Sequence, residues 1–305
     1  MKKIYFLIVI FVFTSLILYC QYKLWAYNAY FDSSKKIDYE AFGTYGDFFG
    51  GVIGTLFAVI GVIYVYNTYH NQTIFHKKEQ IESRFFELLK LHEKNVEELK
   101  TIDRDIFNLY LKNIKNFVSI IEKFKEENSI IWNNEEVVKL GYLYFFYGAS
   151  EFTSERIIDM TINVSDVNKF NKYINILGIE YKGAFPTLGK YFRQLFQLVT
   201  YIDGKSELDY FEKEQYIKSL RVRLNIEEQY LLFLNSLVSN GLDWEIRKKH
   251  KNQKLITKYN LLKNIPKEYP QINGVDFQTI YPNIQYEYLG DDKSDERKKL
   301  ENLYT

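Results

Sequence analysis

From Phe48 to Tyr66 the chain runs for 19 residues without a charge, and the next charged side chain is Lys77. At about 1.5 Å of rise per residue, such a run folded as a helix is just long enough to cross a hydrocarbon core of roughly 30 Å. Within it Gly50, Gly54 and Ala58 recur every four residues, with Gly61 about one turn on. That spacing puts the small residues on one face, where they let two helix backbones approach closely inside a bilayer. The face predicts a packing or oligomer contact, either with a second copy or within the same chain. Glycine is also simply common in membrane helices, which is the plainer reading.

A second uncharged run, Ile4 to Tyr22, follows Lys2 and Lys3. A basic start before an apolar run fits both a first membrane helix and a signal peptide. The bulky Ile17, Leu18 and Tyr19 before Cys20 argue against cleavage, so an uncleaved helix is expected. The basic start favours an amino terminus inside, and His76, Lys77 and Lys78 favour an inside exit after the second helix. The expected plan is a transmembrane helix over 1–22, a short extracytoplasmic loop over 23–47 and a second transmembrane helix over 48–69. A cytoplasmic α-helical domain over 70–265 follows, opening with a stalk-like helix over 70–100, and then a peripheral tail over 266–305. Such a chain would sit in the bacterial cytoplasmic (inner) membrane, two-pass, with both termini cytoplasmic and the lipid bilayer as a partner.

The body reads as helices throughout, so the expected fold class is all-α. Ile81, Phe85, Leu88, His92, Val96 and Leu99 share one stripe, as do Phe107, Tyr110, Ile114, Phe117, Ile121 and Phe124. Glu135 to Ala149, dense in aromatics, reads as a buried helix, and weaker helices are expected near 154–164 and 166–178. Thr187 to Ile202 shows another helical stripe. Ser206-Glu-Leu-Asp209 resembles a capping box that opens a helix toward Leu224, and Asn225-Ile-Glu-Glu228 another, with Asn225 the cap of a helix ending at Asn240-Gly241. His92, on an apolar stripe, is expected as a hydrogen-bonded interface histidine.

Charge and motif content exclude several chemistries. After residue 66 the basic and acidic side chains balance, at 35 each, which gives no strong nucleic-acid signal. One cysteine excludes a disulfide framework or a four-cysteine metal site. No HExxH, GxxxxGK[ST], GxGxxG or GxSxG occurs, so no cofactor is expected and no catalytic residue is assigned. Asp203, Glu207 and Asp209 lie beside Gly204, but without the ligand order of a calcium loop they read as a solvated turn. The basic run Arg247, Lys248, Lys249 and Lys251 is a candidate contact for anionic headgroups or phosphate, with a solvated helix end as the alternative. Tyr191, Arg193, Arg221, Glu228 and Asn235 fall in otherwise apolar helices. They read either as a buried polar lock, in which an Arg and a Glu pair and fix helix register, or as a ligand site.

Several of these segments together resemble a family. They are Phe42-Gly-Thr-Tyr-Gly-Asp-Phe-Phe-Gly-Gly51, Glu82-Ser-Arg-Phe-Phe-Glu-Leu-Leu-Lys-Leu-His92 with Asn95 and Val96, Gly189-Lys-Tyr-Phe-Arg-Gln-Leu-Phe196, Tyr201-Ile-Asp203, and Leu220 through Asn235. The chain resembles the phage abortive infection protein family, AbiC-like, over roughly 40–100 and 185–265, and departs from its pattern at Arg223. The resemblance implies bacterial antiphage defence and supplies no catalytic mechanism. The leading expectation is a membrane-anchored defence protein whose helical domain senses a phage-encoded trigger and acts through its membrane helices, as a homo-oligomer, or through partners. The alternatives are a membrane-tethered nuclease or other enzyme with its site in 185–265, and a non-catalytic membrane scaffold.

Overall fold

A computed structural model describes residues 14, 15, 17–19, 22, 23, 39–148, 153, 164–179, 181–245, 254–290 and 293–304. Among them every regular element is helical and no strand occurs. The chain divides into two compact units, Met1–Thr73 and Ile74–Thr305.

Helix α1 spans Tyr39–Ile102 and contributes residues to both units. Its part from Gly50 is the one described helix that is long and apolar enough to cross a membrane, and its apolar window is unburied. Most of 1–22, where another such helix is expected, lies outside the described residues. Residues 39–47, read from the sequence as loop, are helical: no proline interrupts them, and Glu40 sits favourably in the first turn. The polar stretch Asn67 to Thr73 does not break the helix either. The hydroxyls of Thr68 and Thr73 donate to the carbonyls of Tyr64 and Tyr69 one turn back, both at 2.9 Å, so those side chains are satisfied inside the helix. Gly50, Gly54, Ala58 and Gly61 are all exposed, and a Cβ built on any of the three glycines meets nothing within 4 Å.

In the second unit α1 buries Ile81, Phe85, Leu88, Leu89 and Leu99. The helices that follow are α2 (Ile106–Glu127), α3 (Asn134–Tyr147), α4 (Val164–Ile176), α5 (Phe185–Asp203), α6 (Tyr210–Arg221) and α7 (Ile226–Ser236). Helix α2 packs on α3, α4 and α7, while α5 packs on α3 and α6. Helix α3 carries no clean stripe because it is covered on nearly every side: Val137 to Phe146 are buried or nearly so. The residues near 154–164 lie mostly outside the described set.

Three helices start with the same device. Asn133 with Glu136, Asp209 with Glu212, and Asn225 with Glu228 each form a reciprocal capping box. The cap of α6 is therefore Asp209 and not Ser206, because Leu208 turns into the core and the helix begins at Tyr210. Helix α7 ends at Ser236, earlier than Asn240-Gly241, and the chain then turns through a 3-10 segment, Leu242–Trp244.

The segment from Pro266 is not a peripheral tail. It buries Ile272, Val275, Phe277, Tyr281, Ile284 and Tyr286, and it holds two short helices, α9 (Phe277–Ile280) and α10 (Asp295–Tyr304), with α8 (Leu255–Lys258) just before it. Its apolar residues fall between turns with neither a helical nor a strand period, so periodicity cannot reveal their burial. Arg297 on α10 is 1% exposed. Its guanidinium donates to Glu301 at 2.9 Å, to the Tyr210 hydroxyl at 3.1 Å and to the carbonyls of Thr257 and Lys258 at 2.5 and 3.0 Å. Burial raises the Glu301 carboxyl, but bonds from Lys293 and Arg297 outweigh it and hold the group below its ordinary range.

Removing one partner of such a buried network strands the rest. Arg297→Ala is expected to cost on the order of 3 kcal/mol, whereas Lys298→Ala, at an exposed position, should change stability by under about 0.5 kcal/mol. Thermal unfolding of the detergent-solubilised chains checks the difference.

Candidate functional site

The polar residues that the sequence places among apolar helices separate into a buried lock and an open cleft, both within the second unit. The lock centres on Glu228, the third residue of α7. Its Oε2 accepts the Asn225 backbone N–H at 2.9 Å, while its own N–H donates to Asn225 Oδ1 at 2.7 Å. Its Oε1 accepts the Tyr191 hydroxyl of α5 at 2.9 Å. Burial raises the Glu228 carboxyl, and the hydrogen bonds only partly offset it. Burial, together with the neighbouring Glu228 carboxylate, holds the Tyr191 phenol well above its ordinary value.

Arg221 does not pair with Glu228, as the sequence suggests it could. It donates to the carbonyls of Tyr259 and Asn260, at 2.9 and 3.4 Å. Asn260 has φ 51°, and its side chain accepts from Gln285 N–H, so Arg221 secures a left-handed turn onto which the C-terminal segment is bonded. Arg223 lies at the surface and pairs with Glu93 of α1. Asn235 donates to the Tyr142 hydroxyl at 2.9 Å. Asp203 accepts from Lys258 and from the Tyr259 hydroxyl, and Asp209 caps α6, so the acidic turn is already occupied. Arg247, Lys248, Lys249 and Lys251 lie outside the described residues.

His92 differs from its expected state. It is buried against the Tyr191 ring, with centroids 5.0 Å apart, yet neither ring nitrogen has a hydrogen-bond partner. Burial lowers its pKa to about 4, with nearby Glu93 opposing the shift. Asn95 Nδ2, one turn on, is likewise without a partner. Sequence shows that His92 lies on an apolar stripe, but not whether the facing helix supplies an acceptor.

The cleft, of about 610 Å³, opens along the other face of α5. Phe185, Phe192, Phe196 and Trp244 supply aromatic walls, with Trp244 perpendicular to Phe196 at 5.0 Å. Arg193 lies over the Phe185 ring at 5.7 Å, and Lys182, Asn240 and Asp243 complete the polar lining. Two glycines shape it. Gly183 has φ 78°, and a Cβ there would lie 2.6 Å from the Phe146 carbonyl oxygen, so the turn carrying Lys182 fits against the end of α3 only with glycine. Gly241 comes so close to Asn235 that a Cβ would lie 2.0 Å from its carbonyl oxygen. Of the cleft residues, Arg193 and Asn235 are prominent in the sequence. The others are not, because Lys182, Asn240 and Asp243 sit in turns whose placement depends on these close approaches. Arg193 therefore belongs to the cleft and Arg221 and Glu228 to buried structure, so the three do not form one constellation.

A family model described as "Putative phage abortive infection protein" matches residues 184–270, the family that the sequence itself resembles. The matched stretch runs from the start of α5 beyond α8 and contains the lock residues Tyr191, Arg221 and Glu228 and most of the cleft lining. No curated protein and no solved structure matches the chain.

His92 gives a signed prediction for acid. Between pH 7 and 4.5 the unfolded chain protonates this side chain near pH 6.5, while the folded chain does not until about 4. The unfolded state then binds more protons, so stability falls as pH falls. Over that interval the wild type should lose on the order of 2–3 kcal/mol more than a His92→Leu chain. Unfolding both in detergent at the two pH values measures the gap, and titrations common to both cancel.

Proposed function

We propose that the chain is a bacterial membrane-anchored antiphage defence protein, whose helical body senses infection and whose apolar helix carries the response. The observation that carries the reading is the match to an abortive infection family over 184–270, which coincides with the lock and the cleft of the second unit. The apolar length of α1 from Gly50 supports anchoring in the cytoplasmic membrane. The exposed face of Gly50, Gly54, Ala58 and Gly61 supports self-association, since small residues at four-residue steps admit close helix pairs. A two-pass arrangement with both termini inside remains part of the proposal, on the strength of Lys2 and Lys3.

In this reading a phage-encoded trigger changes the packing of the body. The same helix that contributes His92 and Leu99 to that body also contributes the apolar segment, so the change reaches the bilayer along one continuous element. An enzymatic alternative built from Arg193, Arg221 and Glu228 loses support, because Arg221 is engaged with backbone carbonyls and Glu228 with Tyr191 and the Asn225 cap.

Gly54→Leu tests the reading. The substitution meets no neighbour in the chain, so protein level and body stability should be unchanged. Phage plating efficiency should rise at least tenfold relative to wild type. Infected cells with the wild-type chain should lose membrane potential early, and cells with Gly54→Leu should not. Full protection by a normally accumulated Gly54→Leu chain would remove the small-residue face from the mechanism.

A further inference from the structure

We propose that the cleft along α5 binds a small planar anion of the nucleotide class, its base held between the aromatic walls and its phosphate on Arg193 and Lys182. The proposal rests on the sensing role argued above and names the chemistry of the ligand. A cavity of about 610 Å³ lies within the range that encloses a single small ligand, roughly 300–1,000 Å³. Flat aromatic walls with a few convergent polar groups suit a planar ring that needs orientation.

Charge decides the sign of the ligand. Several of the body's cations are paired: Lys78 with Glu212, Lys190 with Glu98, Arg223 with Glu93 and Lys258 with Asp203. Arg193 and Lys182 have no carboxylate partner among the described residues, although both line the same cleft. Among the described lining residues two cations, Lys182 and Arg193, stand against one carboxylate, Asp243, so that lining carries an excess positive charge beside aromatic surface. A guanidinium and an ammonium together match the oxygens of a phosphate. The Asn240 amide can both donate and accept at a base edge, and Asp243 can accept from an exocyclic amine or a sugar hydroxyl. An acidic peptide would satisfy the cations, but its chain would leave the aromatic walls without a planar partner.

The test uses the full chain, purified in detergent. Binding of AMP, GMP, CMP, UMP, ADP, ATP and inorganic phosphate is measured by equilibrium dialysis, and tryptophan emission is followed in parallel. At least one nucleotide should bind below about 100 µM, quench emission, and lose that quench in a Trp244→Phe chain. A Lys182→Gln, Arg193→Gln chain with unchanged unfolding temperature should bind it at least about tenfold more weakly. Inorganic phosphate should bind about a hundredfold more weakly than the nucleotide, since it has nothing to stack.

Failure of every nucleotide to bind near 1 mM, undiminished binding by the double variant, or phosphate binding as well as the nucleotides would each overturn the assignment. A phage plating assay reads the defence role separately. Binding without protection keeps the site and removes the defence reading. Protection without binding does the reverse.

Discussion

A phenol hydroxyl taken out of water must find a partner or cost the fold about 1–3 kcal/mol, and this body buries many of its tyrosines. Tyr142 bonds Asn235, Tyr144 bonds Asn171, Tyr191 bonds Glu228, and Tyr281 bonds Ser236. Tyr230 accepts from Ile272 N–H, and Tyr286 donates to the carbonyls of Phe277 and Tyr281. Each hydroxyl fixes the rotation of one element against another, which apolar contact alone does not do. The body is thus a helical bundle whose elements are tied by phenols, and its C-terminal segment is hydrogen-bonded into the same core. Arg297 closes that arrangement, reaching the Tyr210 hydroxyl and three backbone carbonyls from the last helix.

How much of this was legible in sequence depends on the range of the signal. Helices α2 and α5 follow from apolar steps of three and four, and the α7 cap follows from Asn225 and Glu228, because those signals are local. The sequence divides 48–69 from the stalk over 70–100, but α1 is continuous through Asn67–Thr73, where the threonines bond back onto their own helix. What escaped depends on long-range geometry. Arg221 and Glu228 are seven residues apart and look like partners, but the first reaches the turn at Tyr259 and the second is claimed by its own cap and by Tyr191. The stripe predicts a hydrogen-bonded His92, yet it faces an aromatic ring supplied by α5. In the C-terminal segment, turns erase the periodicity that would show its apolar residues to be core.

Net charge illustrates the same difference in scale. A body with balanced charge gives no general field to draw an anion, and on composition alone an anion site would not be sought. Some of the body's cations are neutralised locally by carboxylates three or four residues away on their own helix, or across a helix pair. What matters for recognition is the residue left unpaired beside a cavity, and that cannot be counted from the sequence.

The two faces of α5 then become one argument. Tyr191 points to the lock and Arg193, two residues on, to the cleft, because successive helical positions turn by about 100°. Gly189, buried between Phe185 and Arg193 with only 3.1 Å between a built Cβ and the Phe185 ring, lets both lie close to the helix. A ligand that draws Arg193 away from Phe185 therefore bears on the first turns of the helix whose other side holds Glu228. Glu228 is at once the acceptor for Tyr191 and the cap of α7, so any shift of α5 along its axis must either stretch that hydrogen bond or carry the start of α7 with it. Packed interiors change between discrete arrangements more readily than they deform. On the proposed reading, occupancy of the aromatic cleft would be converted into a change of helix register, and the helix packed on Tyr191 through His92 is α1.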